Sequence, residues 1–190
     1  VPPNVALGLS CGMQLTDIRL EELTANRDEA DRLIGQLDLD VEAMGDASKF
    51  PETLSGDGVL EFSNGRIGSL DVVSALGRAM RSVFQEPADH DRATMRFTLR
   101  PDGVVVNEFQ LIAGLIAARG KGIIRFNDTI DFTVNGGPLE RAQAELGLLG
   151  NAFGAITDRI LRYKVAGSLD NPIVTVHPLG IGTVDPTQAP

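Results

Sequence analysis

Alternation of apolar and polar residues with a period of two is the strongest pattern in the chain. Leu33, Leu37, Leu39, Val41 and Ala43 fall on one face of an extended segment, and Gln36, Asp38, Asp40 and Glu42 fall on the other. Met95, Phe97 and Leu99 oppose Arg96, Thr98 and Arg100 in the same way, as Ile130, Phe132 and Val134 oppose Asp131 and Thr133. Leu161, Tyr163 and Val165 likewise oppose Arg162 and Lys164. Strands with one wet face belong to antiparallel sheets, whereas parallel sheets of doubly wound folds are apolar on both faces. The pattern therefore predicts a single antiparallel sheet whose polar face, including Asp38, Asp40, Arg96, Asp131 and Arg162, is exposed, and whose apolar face is covered by something else.

A cover is available in the segment from Leu70 to Phe84, where Leu70, Val73, Leu76, Met80, Val83 and Phe84 recur at helical spacing. Asp71 stands in its first turn and Arg78 and Arg81 come later, the order that a helix dipole favours. A second helix is expected between Pro138 and Ile160, short or broken because Gly147, Gly150 and Gly154 each cost about 1 kcal/mol against alanine in a helix interior. The fold expected is thus α+β and mainly β, a curved antiparallel sheet covered by one or two helices. It spans residues 1–179 as one domain, followed by a Gly, Pro and Thr-rich tail at 180–190.

The segment Gly56-Asp-Gly-Val-Leu-Glu-Phe-Ser-Asn64 aligns with Gly120-Lys-Gly-Ile-Ile-Arg-Phe-Asn-Asp128 at a constant offset of 64 residues. Two readings are open: recurrence of a strand, turn and helix unit, or the ordinary recurrence of glycine-bounded strands in a β protein. Gly120-Lys-Gly122 lacks the spacing of a phosphate loop and is expected to be a strand bend or bulge.

Composition narrows the function. With 17 basic and 26 acidic residues the formal net charge is -9, which lacks the basic footprint of a nucleic-acid binder. Nor does that balance suggest electrostatic docking on anionic head groups, so lipid contact would have to come from apolar side chains. Cys11 is the single cysteine, which excludes an internal disulfide and a thiolate metal cluster. The longest apolar run, Leu111 to Ala118, is far below the roughly 20 residues of a spanning helix. The start Val1-Pro2-Pro3-Asn4 reads as that of a fragment or a processed product.

Candidate chemistry is sparse. Asp89-His90-Asp91 lies in a polar stretch without converging partners, and His177 closes a strand-like segment with no marked serine or cysteine beside it. The pairs Asp38 with Asp40 and Glu21 with Glu22 suit a hydrated face or turn. Asn127-Asp128-Thr129 matches a glycosylation sequon, relevant only in a eukaryotic secretory pathway. No catalytic, metal or cofactor-binding residues are assigned, and a non-enzymatic role is expected.

The run from Leu54 to Gly68, leading into the amphipathic segment, and the later Tyr163-Lys-Val-Ala-Gly-Ser-Leu-Asp-Asn-Pro-Ile-Val-Thr-Val176 resemble the C-terminal region of AsmA-like bacterial envelope proteins, a group that includes TamB-like proteins. The resemblance covers about 33–178. It implies a periplasmic module of an inner-membrane-anchored protein, serving phospholipid transport or outer-membrane assembly, with phospholipid or other envelope proteins as partners. On that reading the residues that would face lipid are Phe97, Phe109, Leu111, Phe126 and Phe132, although the same side chains could form an ordinary core. The alternative function is a structural or protein-interaction domain of a large periplasmic protein that binds no lipid.

Overall fold

The computed structural model describes residues 8–26, 33–66, 70–79, 91–113, 116–138 and 161–177. They build one open sheet of nine antiparallel strands in strict sequence order, each strand bonded to the next. The strands are β1 (Gly8–Arg19), β2 (Ile34–Asp46), β3 (Ser55–Arg66), β4 (Asp91–Arg100), β5 (Gly103–Ala113), β6 (Ile116–Arg125), β7 (Thr129–Pro138), β8 (Leu161–Ser168) and β9 (Pro172–His177). A single helical turn, α1 (Leu20–Leu23), follows β1, and the helix α2 (Asp71–Ala79) lies between β3 and β4.

Register follows the period-two pattern, because a slip of one residue would turn every apolar side chain toward water. Leu39 faces Leu15 on one side and Leu60 on the other, Leu60 faces Met95, and Met95 faces Phe109. Farther across, Gly122 faces Phe132, which faces Val165, which faces Val174. One face of the sheet is therefore apolar from the first strand to the last. Asp38, Asp40, Arg96 and Arg162 are exposed on the opposite face and Asp131 is half-buried, while Leu37 and Leu39 are half-buried rather than sealed. The best-buried part of the core lies toward β5 to β8, in Val106, Leu111, Ile130, Val134, Tyr163 and Val165.

Burial pushes the Tyr163 phenol up from its ordinary value. The neutral phenol is the form the fold favours. Its contribution is complete below the ordinary phenol value near 10 and is lost as the pH rises through the raised folded value.

The helix is built as its sequence suggests. Asp71 occupies the first turn, Arg78 the last, and Ala75, Leu76 and Gly77 are buried. It packs over β8 and β9, with Leu76 inside the core cluster and Val72, Val73 and Ala79 against it. The described helix ends at Ala79, so Met80, Val83 and Phe84 lie outside the described residues, as do the second expected helix beyond Pro138 and the tail.

The aligned glycine segments fall on β3 and β6 and share a steric role. Gly58 stands opposite Phe97, and Gly122 opposite Phe132. A Cβ on Gly58 would lie 2.3 Å from the Phe97 ring, and one on Gly122 would lie 2.5 Å from the Phe132 ring. Each glycine is the floor beneath an aromatic ring from the next strand. Gly120-Lys-Gly122 is itself in strand without a bend, and a bulge does occur in its pairing with β5, with the extra residue on β5 between Val106 and Phe109. The two segments then diverge: Phe62 is buried within β3, whereas Phe126 is 54% exposed in the turn after β6.

Candidate apolar ligand site

Between α2 and the apolar face lies a partly open cavity of about 550 Å³. Such a volume falls within the range of small-molecule sites, about 300 to 1,000 Å³. The sheet supplies Leu60, Met95, Phe109, Leu111, Phe132 and Val165 to its wall, and the helix supplies Val72, Val73 and Leu76. The arrangement is a direct product of the pattern. Alternate residues of neighbouring strands project to one side, and among the described residues only the nine of α2 lie above them. Two rings order the floor: Phe109 and Phe132 meet edge to face, with centroids 5.9 Å apart and planes at 75°.

The polar components of the wall are few. Asp71, at the start of α2, and Asp170, in the turn between β8 and β9, both border the cavity and are exposed. The site can accept an apolar chain, and among the described residues its polar lining is limited to Asp71, Thr94 and Asp170. Among the described residues, no group of three or more His, Cys, Asp or Glu side chains is placed to hold a metal ion.

Of the five residues expected from the sequence to face lipid, Phe109, Leu111 and Phe132 line this cavity. Phe97 is on the same face but 7% exposed and packed over Gly58, away from the cavity. Phe126 is in a turn and also away from it. Leu60, Met95, Val165 and the residues of α2 also line it, and their period-two and helical spacings were the signals that could have found them. His177 is exposed at the end of β9, and Asp89 and His90 lie outside the described residues.

The polar face is divided by charge. Asp38 stands opposite Glu61, and Glu42 opposite Asp57, on β2 and β3. Arginines and lysines gather instead on alternate strands beyond, with Arg92, Arg96 and Arg100 on β4, Lys121 and Arg125 on β6, and Arg162 and Lys164 on β8. Lys164 pairs with Asp131 across the β7 to β8 ladder. An open groove of about 710 Å³ over the acidic half is lined by Gln14, Asp38, Asp40, Asp57, Glu61 and Arg96, among others. Like charges directly opposite one another are unfavourable in a sheet. Glu61→Lys, which would face Asp38, is expected to raise stability by roughly 0.2 to 1 kcal/mol. Urea unfolding at low salt should detect the gain, and an unchanged or lower midpoint would show that the carboxylates do not repel.

No family model, curated protein or solved structure matches the chain.

Proposed function

We propose that the chain is a non-enzymatic lipid-handling module, which shields the acyl chain of a phospholipid between α2 and the apolar face of the sheet. The observation that carries this reading is the half-covered cavity, whose wall is almost wholly apolar while the other face of the same sheet is charged. Each methylene removed from water contributes roughly 0.8 kcal/mol, so even part of an acyl chain supplies a useful binding energy. The two rim carboxylates leave the head group at the mouth, in water. The sequence resemblance to AsmA-like envelope proteins supports the same reading, under which the module would serve phospholipid transport or outer-membrane assembly in the bacterial periplasm. No described helix is long and apolar enough to cross a membrane.

Native mass spectrometry of the chain, purified from bacterial membranes and again after incubation with phosphatidylethanolamine vesicles, tests the reading. Adducts of phospholipid mass that dissociate on activation are expected. A spectrum holding only the bare 20.2 kDa chain after both treatments would reject lipid handling in favour of a structural or protein-interaction domain.

A further inference from the structure

The two edges of the sheet are treated differently. At one end, β9 has six residues, begins at Pro172, and is overlaid by α2. Short length, proline and a covering helix are ordinary devices that keep an edge from pairing with another chain. At the other end, β1 runs for twelve residues, and no described strand pairs with its outer side. From Gly8 to Thr16 it contains neither a charged residue nor a proline. Among the described residues, its outward N–H and C=O groups from Gly8 to Leu15 have neither the proline nor the covering helix found at β9, and the one irregularity of the strand comes later, between Leu15 and Ile18.

We infer that β1 is a docking edge, and that its partner is β1 of a second copy of this chain, paired antiparallel. The strand is self-complementary. With the two-fold axis at Gly12, Cys11 stands opposite Met13 of the second copy and Leu9 opposite Leu15 of the second copy, all on the apolar face. Ser10 stands opposite Gln14 of the second copy on the polar face, and no charge meets a charge. Because the axis is perpendicular to the sheet, both apolar faces lie on the same side. The exposed Leu9 and Met13, 56% and 43% accessible, become the middle of a continuous apolar surface instead of its margin. The acidic strands β2 of the two copies are held about 14 Å apart by the paired β1 strands, at strand spacings near 4.8 Å. That distance exceeds the Debye length of about 8 Å at physiological salt. Main-chain bonding supplies the affinity, as in other cases of strand addition, and an isologous pair closes without leaving a further open β1 edge.

Gly12 gives a clean test, because a Cβ there would meet nothing within 4 Å, so a side chain fits without disturbing the fold. Light scattering coupled to gel filtration should show the unmodified chain as a concentration-dependent dimer of about twice 20.2 kDa. Gly12→Lys alone, or Gly12→Glu alone, sets like charges face to face at the axis and should weaken association at least about tenfold. An equimolar mixture of the two variants should restore the dimer, an outcome that misfolding cannot produce. A monomeric parent chain from micromolar to near-millimolar loading, a dimer that survives Gly12→Lys, or a mixture that stays monomeric would each overturn the inference.

Discussion

Leu76→Ala is expected to cost about 2 to 5 kcal/mol of folding stability. Leu76 is 3% exposed and is the one residue of α2 inside the core cluster, where it joins Leu111, Val134 and Val165. Truncation removes the transfer free energy of its methyl groups and leaves a void beside one that already exists, so the surroundings have little reason to collapse into it. The same substitution enlarges the cavity. Lipid capture per folded molecule should therefore persist while the urea midpoint falls. A loss below about 0.5 kcal/mol would show that α2 rides loosely on the sheet.

The second large effect is on ligand capture. Phe109→Asp places a charge on the cavity floor, opposite Met95 and against the edge of Phe132. Burying that carboxylate beneath an acyl chain is unfavourable by several kcal/mol, so phospholipid capture should fall at least tenfold. Stability will fall too, and polarity alone cannot separate the two losses. Met95→Trp can. Met95 borders the cavity without being among the residues packed on the core cluster, so added bulk there enters space that no described residue fills. Filling a void commonly holds or raises stability. Met95→Trp should thus cut capture while the chain unfolds no earlier than its parent. Lipid adduct intensity in native mass spectra, read beside urea midpoints, measures both. Undiminished adducts in Met95→Trp would place the ligand elsewhere.

The sheet was legible in the sequence because antiparallel strands with one wet face write their register into the chain. Asp38 and Asp40 against Leu37 and Leu39 gave both the strand and its orientation, and Val73 and Leu76 gave the helix and its inward side, while Leu70 falls just before the helix and is exposed. β1 was harder to read. Gly8, Ser10, Gly12 and Gln14 separate its apolar residues without the charges that mark a solvated face elsewhere, since an edge strand can leave both faces weakly patterned. The glycines of β6 were read as a bend or bulge, and the bulge in the pairing there carries its extra residue on β5, not on β6. A glycine signals either backbone freedom or a missing side chain, and only the neighbouring strand shows that Phe132 occupies the space above Gly122.

The candidate site was legible in part. Phe109, Leu111 and Phe132 could be named because large apolar residues on alternate positions must face the core or a ligand. Their separation from Phe97 and Phe126 depends on which glycine lies beneath Phe97 and on where β6 ends, and neither is a property of local sequence. The charge division of the polar face was hidden for the same kind of reason. A net charge of -9 says nothing of how strand order sorts carboxylates onto β2 and β3 and arginines onto β4, β6 and β8.

An acyl chain held between α2 and the apolar face can be located by photocrosslinking with a phosphatidylethanolamine that carries a diazirine midway along one acyl chain, followed by peptide mapping. Labels are expected on α2 and on the strand positions beneath it, at Val73, Leu76, Met95, Phe109 and Phe132, and should be lost when unlabelled lipid competes. Labels confined to the charged face, or spread evenly over the chain and indifferent to competitor, would contradict that placement.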